Sequence, residues 1–235
     1  GNCGTTHGSC PETIALSFLI GRIVDAIFWL GWNVLWLLPE RISRRLFAIC
    51  AQTFWRLRVK GIQQLELNLS RVLRKPVDDP QVLRVAHQAV HSYMRYYCET
   101  FLLPRWSAER ISNTVRVEND APVRAALREG GIILTLPHSG NWDLAGAWAA
   151  ASFGSMCTVA ERLRPEGVYQ KFLAVREAKG ITLRPLTGEA GIYEYLRDSV
   201  VRGKVVGLLG DRDVARNGMG TDFFGHRASL PVGAA

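Results

Sequence analysis

The pattern of hydrophobic and polar positions along the chain changes near residue 115. Before that point apolar residues recur at helical spacing, as in "ERISRRLFAICAQTFWRLRV" (40–59), which carries a basic face opposite its apolar face. Gly61 is predicted to end this helix, and "IQQLELNLSRVL" predicts a second, short helix. A long third helix is predicted to start at Asp79-Pro80, because proline is favoured at the first helical position.

Beyond residue 115, short apolar runs alternate with helical segments. The run "IILTLP" is continuously apolar and bounded by turn residues, which is typical of a strand covered on both faces. The other predicted elements are strand "VRVEN", helix "APVRAALREG", helix 142–152, strand "SMCTVAE", helix 166–179, strand "ITLRPL", helix 189–202, and strands "KVVGLLGD" and "TDFFG". This alternation predicts an α/β fold with a mixed, mostly parallel sheet flanked by helices.

The pattern divides the chain into four predicted parts. Residues 1–12 form a disordered terminus, 13–39 a membrane-associated hydrophobic helix, 40–110 a basic helical region, and 111–235 the α/β core. The sequence stops in "SLPVGAA", just after the last strand-like run. We therefore expect the native protein to continue at its C-terminus.

The apolar segment "IALSFLIGRIVDAIFWLGWNVLWLLP" (14–39) bears on membrane association. Arg22 and Asp25 interrupt it, and the remaining run, 26–38, is shorter than the ~20 residues that a spanning helix needs. Three tryptophans, a residue that favours the membrane interface, fall on one helical stripe: Trp29, Trp32 and Trp36. We expect an amphipathic or shallowly inserted helix on an anionic membrane surface. A transmembrane anchor and a core helix of a soluble subdomain remain as alternatives.

The positive charge of the chain is concentrated in one segment. The net charge is +8, and residues 41–75 contain nine Lys and Arg residues against one acid, Glu66. A basic balance predicts an anionic partner: nucleic acid, anionic lipid or a phosphorylated small molecule. No nucleic-acid motif is recognised and the tryptophans lie in apolar runs, so a membrane surface is favoured over nucleic acid.

The cysteines predict neither a disulfide framework nor a metal site. There are five, an odd number at wide spacing, which favours a reducing compartment. Cys3, His7 and Cys10 lie close together, but in a Gly/Thr/Ser-rich terminus without a second ligand pair. We expect a disordered terminus there and no bound metal.

The stretch "LPHSGNWDLAG" (136–146) places a histidine just past the end of a predicted buried strand. Ligands of open α/β sheets bind outside the carboxyl ends of strands. Asn141 is a suitable N-cap for a helix that starts at Trp142, which puts Asp143 in the first helical turn. We predict that Asp143 accepts the Nδ1–H of His138 and leaves Nε2 free as a general base. The alternative is a structural histidine at a strand end.

The same stretch contains no obvious nucleophile. Ser139 is next to the histidine, but the G-x-S-x-G elbow is missing. The base is therefore expected to activate an external hydroxyl, which suits direct acyl transfer from a thioester to an alcohol. The helix start supplies backbone donors for the oxyanion, and Gly140 permits close approach. Three apolar residues are candidates for an acyl tunnel or for the core: Trp142, Leu144 and Trp148.

"LPHSGNWDLAG" resembles the H-x4-D motif of glycerolipid acyltransferases, in the H-x-G-N-W-D/E form of the bacterial lipid A late acyltransferase superfamily. "TVAERLRPEGVYQKFLAVREAKGI" (158–181) and "GLLGDRDVARNGMGTDFFG" (207–225) are similar to segments of the phosphatidylinositol mannoside acyltransferases. The resemblance covers roughly Arg41 to the end. It implies a glycerolipid acyltransferase-like fold with a membrane-facing helical N-terminal part.

The resemblance also implies roles for individual residues. The catalytic candidates are His138 as the base, Asp143 as its partner, and Asp211 at an acidic site position that is Glu in the mannoside enzymes. Two alternatives remain for Asp211. Its neighbour Asp213 fills the acidic site position instead, or Arg212, which lies between the two aspartates, neutralises their charges. Arg176 is placed near a phosphate of the acyl donor or acceptor, and the alternative is an arginine on a helix surface. The remaining candidate substrate contacts are Asn141, Glu161 and Arg164, the last two of which are otherwise a solvated pair.

These observations predict a monomeric, membrane-associated O-acyltransferase at the cytoplasmic face of the bacterial inner membrane. It takes an acyl group from acyl-CoA or acyl carrier protein, needs no cofactor, and acylates a glycolipid hydroxyl. A phosphatidylinositol mannoside is the expected acceptor, and a lipid A precursor is the alternative. A nucleic-acid binder and a non-catalytic lipid binder are the other classes, and the intact His138 and Asp143 argue against the latter.

Overall fold

The computed structural model describes residues 29–162, 166–186, 190–213, 216 and 218–232. The predicted disordered terminus, most of the predicted 13–39 helix, and Arg164 lie outside these residues. Residues 29–37 are helical. Within the described ranges, no helix combines the length and apolar character needed to cross a bilayer.

Residues 29–37 lie partly against the rest of the protein. Trp32 is buried and makes edge contacts with Phe101 and Phe172, at ring-centroid distances of 4.8 and 5.5 Å. Trp29 and Trp36 are exposed. The predicted tryptophan stripe is therefore split, because its middle member packs into the protein while the outer two face away.

Helices make up the first half of the described chain: α1 (Glu40–Leu57), α2 (Lys60–Leu73), α3 (Pro80–Leu102), α4 (Ala108–Thr114) and α5 (Ala121–Glu129), with a 3-10 turn at Leu103–Arg105. The predicted break at Gly61 is wrong. The first helix ends three residues earlier, where Arg58 adopts a left-handed φ of 51°, and Gly61 lies within α2. The Arg58 side chain stabilises this corner by a bidentate ion pair with the buried Glu66.

The long helix α3 begins as predicted and supports both halves of the molecule. Asp79 caps it by accepting the N–H of Gln81 at 2.7 Å, and Pro80 occupies the first turn. One face of α3 packs against α1 and α2 around Ala51, Ile62 and Val90. Its C-terminal half reaches the α/β part of the chain, where Tyr96 contacts the side chain of Asp143.

The second half of the chain has the predicted α/β architecture. Its elements are β1 (Ile132–Leu136), α6 (Trp142–Phe153), β2 (Met156–Ala160), α7 (Glu166–Glu177), β3 (Ile181–Pro185), α8 (Ile192–Val201), β4 (Val205–Leu209), β5 (Met219–Phe223) and β6 (His226–Leu230). Strands β1 to β4 form a parallel sheet in the order β1-β4-β2-β3, and β5 and β6 form an antiparallel hairpin.

The predicted strand "VRVEN" is wrong. Residues 115–117 are irregular, and a bend follows in which Asn119 has a φ of 60°. A left-handed residue interrupts the extended conformation that a strand needs. Val115 and Val117 instead line a cavity beside α6.

The strand order determines which loops meet at the carboxyl edge of the sheet. β4 is the last strand of the parallel sheet along the chain, and it lies between β1 and β2. Leu136 of β1 therefore pairs in register with Leu209 of β4. The turns that follow β1 and β4 therefore start side by side. His138 follows β1 and Asp211 follows β4, although they are far apart in sequence.

Candidate active site

His138 is paired with Asp211. Its Nδ1 lies 2.6 Å from Asp211 Oδ1, and its backbone N–H donates to Asp211 Oδ2 at 2.9 Å. Both oxygens of the carboxylate are thus engaged by one residue, which determines the orientation of the imidazole. The ring also makes an edge contact with Trp142, at a centroid distance of 5.2 Å.

The electrostatics of this pair favour an ionised Asp211. Partial burial by itself would raise the pKa of the Asp211 carboxyl, but the hydrogen bonds from His138 outweigh burial and hold that pKa below its usual range. A carboxylate can only accept a hydrogen bond, so Nδ1 carries the proton. The neutral ring then has Nε2 as its unprotonated nitrogen, which is the state a general base requires.

The predicted hydrogen bond between His138 and Asp143 is wrong. Asp143 is 5% exposed and bonds to other residues: Oδ1 accepts from Arg176 Nε at 2.9 Å and ion-pairs with its terminal nitrogen at 2.8 Å. Oδ2 accepts from the Tyr96 hydroxyl at 2.7 Å. The reason is geometric, because the first turn of α6 directs Asp143 into the interface with α3 and α7 while Asp211 arrives from the adjacent strand.

Two residues around Asp143 were missed by sequence reasoning. Tyr96 and Thr100 lie four positions apart on the buried face of α3, and the Thr100 hydroxyl is 3.4 Å from Asp143 Oδ2. Burial and the neighbouring Asp143 charge raise the pKa of the Tyr96 hydroxyl, so it remains a donor. Polar residues at i and i+4 on the inner face of an apolar helix were the available signal.

Asn141 is the N-cap of α6, as predicted. Its side-chain oxygen accepts the N–H of Leu144 at 3.0 Å, and its amide nitrogen donates to Glu99 at 2.9 Å. Glu99 in turn accepts from Arg44 on α1 at 3.0 Å. Gly140, just before the cap, has a φ of 62°, a conformation that favours glycine. The turn that carries His138 is therefore attached to both α1 and α3.

The other residues predicted to contact the substrate lie in several parts of the structure. Arg176 lies on the last turn of α7 and is paired with Asp143. Asp213 accepts from the Gly218 N–H and the Ser229 hydroxyl, so it stabilises the β5–β6 hairpin. Glu161 and Arg212 are exposed, after β2 and β4 respectively.

Among the described residues, no group of three or more His, Cys, Asp or Glu side chains is arranged to hold a metal ion.

An apolar cavity of about 300 Å³ lies between α6 and the parallel sheet. Of the three apolar residues considered for a tunnel or for the core, Trp142 and Trp148 line this cavity, whereas Leu144 packs in a core cluster with Leu103 and Trp106. Protein interiors rarely leave such voids, and an apolar cavity of about half this size binds a benzene molecule. The last residues of β1 and β4, Leu136 and Leu209, line the end nearest to His138.

The sequence profile described as bacterial lipid A biosynthesis acyltransferase matches residues 15–235. The chain belongs to this family. It is 38% identical over 218 residues to a phosphatidylinositol mannoside acyltransferase of Mycolicibacterium smegmatis, a match that covers 92% of this chain and 70% of the relative.

A Mycobacterium tuberculosis protein of the same name is 39% identical over 218 residues, which is 90% of this chain and 67% of the relative. The family match and these relatives make the chain an acyltransferase of the phosphatidylinositol mannoside and lipid A acyltransferase family. The H-x4-D stretch at His138 lies within the matched residues.

Proposed function

We propose that the enzyme transfers a long-chain acyl group from a thioester, acyl-CoA or acyl carrier protein, to a hydroxyl of a phosphatidylinositol mannoside. The reaction would take place at the cytoplasmic face of the bacterial plasma membrane. The observation that carries the proposal is the His138–Asp211 pair at the carboxyl edge of the sheet, next to an apolar cavity whose lining includes Leu136, Leu209 and Trp142, the ring that contacts His138.

The pair can perform the transfer without a covalent enzyme intermediate. Nε2 of His138 takes the proton of the acceptor hydroxyl as its oxygen attacks the thioester carbonyl. Asp211 stabilises the resulting imidazolium through Nδ1–H. The tetrahedral intermediate collapses, its C–S bond breaks, and the leaving thiolate receives the proton from Nε2. The products are an ester and a free thiol.

The start of α6 supports the oxyanion step. The first turn of a helix presents N–H groups without intrahelical acceptors, and the positive end of the helix dipole lies there. Asn141 uses the N–H of Leu144, and His138 lies in the turn that leads into the helix. Backbone donors at this position would stabilise the developing charge on the thioester oxygen. The apolar cavity would hold the acyl chain while the carbonyl stays beside His138.

The names of the relatives support the proposed acceptor. Both are named for acylation of phosphatidylinositol mannoside, whereas the family profile is named for lipid A biosynthesis. A phosphatidylinositol mannoside is therefore the first candidate and a lipid A precursor the second.

The test supplies the enzyme with labelled palmitoyl-CoA and with either acceptor, and identifies products by mass spectrometry. We expect one added acyl group on the mannosylated lipid and stoichiometric release of coenzyme A. Palmitoyl-acyl carrier protein serves as the second donor. Exclusive acylation of the lipid A precursor would reject the proposed acceptor, and thiol release without any acylated lipid would reject transferase activity.

The surface of α1 supports membrane association. Ile42, Leu46, Ile49 and Leu57 are exposed and lie on one side of the helix. Arg41, Arg45 and Arg56 flank this stripe. Ser43 and Ala51, which lie outside this stripe, are buried. Exposed Trp29, Leu30 and Trp36 add to the apolar surface. An apolar stripe edged by arginine is the pattern of a helix that lies in the interface of an anionic membrane.

We expect the double substitution Leu46→Asp and Ile49→Asp to lower binding to anionic vesicles at least about tenfold, because each buried apolar side chain contributes about 1.5–3 kcal/mol. Cosedimentation with vesicles of anionic and of zwitterionic lipid measures it. Val201→Asp, at an exposed apolar position at the end of α8, is the control and should bind normally. Equal vesicle binding by the unaltered protein, the double variant and the Val201→Asp control would contradict a membrane role for α1.

A further inference from the structure

We propose that Met156 forms the closed end of the apolar cavity and thereby sets the length of acyl chain that the enzyme prefers. The inference rests on the proposed function, because it assigns a specificity-determining residue to the same reaction. It depends on three observations: the position of Met156 in the sheet, its contact with Gly207, and the apolar character of the surrounding wall.

Met156 lies at the edge of the sheet opposite to the catalytic pair. It is the first residue of β2 and is in register with Val205, the first residue of β4. His138 and Asp211 follow the other ends of the strands. Ala160, at the carboxyl end of β2, also lines the cavity, and the four-residue separation corresponds to about 13 Å at ~3.3 Å per residue. A chain that enters beside His138 would run along β2 and β4 until it meets Met156.

The side chain of Met156 occupies space that glycines leave open. A Cβ added to Gly207 on β4 would lie 2.0 Å from the Met156 methyl carbon, so the thioether crosses directly over this glycine. A Cβ added to Gly146 on α6 would lie 3.3 Å from Ile181 Cδ1 and 3.9 Å from Met156 Sδ. The end wall is therefore Met156 and Ile181, enclosed between one glycine of the sheet and one of the helix.

The wall near Met156 presents apolar groups to a ligand. The Thr158 hydroxyl, also on β2, donates to the Gly207 carbonyl at 2.7 Å. Both polar atoms are thus satisfied within the sheet. The charged lining residues, Asp143 and Arg176, are paired with each other, and Asp143 lies in the first turn of α6. An unbranched, flexible methionine at the end of such a cavity determines its depth by its own length.

Variants that change this depth should shift the chain-length preference in opposite directions. Met156→Ala lengthens the cavity and should favour longer acyl chains, with Met156→Val as a milder variant if the alanine protein is unstable. Met156→Phe shortens it and should favour shorter chains. One methylene in an apolar pocket changes selectivity by roughly 10–200-fold, so we expect the ratio of kcat/KM for long and short donors to move at least about tenfold.

The experiment offers each protein an equimolar mixture of saturated acyl-CoA donors from decanoyl to stearoyl and reads the acylated products by mass spectrometry. Met94→Ala is the matched control, because Met94 packs in the helical cluster around Val90, outside the cavity. It should keep the unaltered preference. If the unaltered enzyme transfers acyl groups and the Met156 variants keep the same chain-length profile as the unaltered enzyme, Met156 does not set the preferred acyl chain length.

A second measurement separates this inference from the proposed function. The thermal stabilisation of each protein by free fatty acids of graded length reports the depth of the cavity without any transfer reaction. If no protein transfers acyl groups but the length that stabilises best shifts between the Met156 variants, the cavity assignment holds and the proposed transfer fails. An unshifted optimum in this assay would overturn the role of Met156.

Discussion

Replacing Asp211 with asparagine should reduce the rate of acyl transfer by roughly 10²–10⁴-fold, the usual contribution of a general base. Asp211 accepts both Nδ1–H and the backbone N–H of His138. An asparagine has one oxygen for these two donors, and its neutral amide cannot stabilise the imidazolium. His138→Ala should lose at least as much, and the double variant little more, because residues that act as one unit are not additive.

The stability of Asp211→Asn should change little. The Asp211 side chain is 37% exposed, and partly exposed ion pairs contribute about 0–1 kcal/mol. Steady-state kinetics and thermal unfolding of the same preparations measure both effects. Asp213→Asn is the matched control, since Asp213 holds the β5–β6 hairpin and should leave the chemical step intact. Near-normal turnover by Asp211→Asn would refute the assignment of this pair.

Replacing Arg176 with methionine should lower the free energy of unfolding by about 3–5 kcal/mol, the usual cost of leaving one charge of a buried pair without its partner. Asp143 is 5% exposed and Arg176 supplies two of its contacts. The Tyr96 hydroxyl would remain, but a neutral donor cannot replace the guanidinium. Urea unfolding of the purified proteins measures the change.

Two further variants make this prediction specific. Adding Asp143→Leu to Arg176→Met removes the uncompensated charge and should recover part of the lost stability. Arg197→Met breaks an exposed ion pair with Asp198 and should change stability by less than about 1 kcal/mol. A loss for Arg176→Met no larger than that for Arg197→Met would show that the Asp143 pair is not a structural requirement.

We thus expect separate roles for Asp211, as the partner of His138, and for Asp143, in a buried ion pair. The motif alone predicted that Asp143 is the partner of His138. The H-x4-D spacing suggested that His138 and Asp143 bond to each other. In the structure His138 bonds to Asp211, which follows β4. Asp143 instead connects α6 to α3 and α7 through Tyr96 and Arg176. An aspartate five residues from a histidine is near in sequence, but the first helical turn directs it elsewhere.

Local sequence determined most of the elements. Helical spacing of apolar residues, Pro80 at a first helical position, the Asn141 cap, and short apolar runs bounded by turn residues were enough to predict the four strands of the sheet and the helices between them. The predictions at Gly61 and at "VRVEN" failed because Arg58 and Asn119 adopt left-handed φ values of 51° and 60°, and neither is a glycine, the residue type that most often marks this conformation in a sequence.

The sequence by itself determined the class of fold and indicated a candidate site at the end of β1, and the family resemblance that it carries singled out His138, Asp143 and Asp211. Tertiary structure alone decided which of them meet. Parallel strands of similar apolar composition do not reveal their order, and it is the placement of β4 beside β1 that brings Asp211 to His138. The depth of the cavity depends in the same way on Met156 crossing Gly207, a contact between strands that no local pattern records.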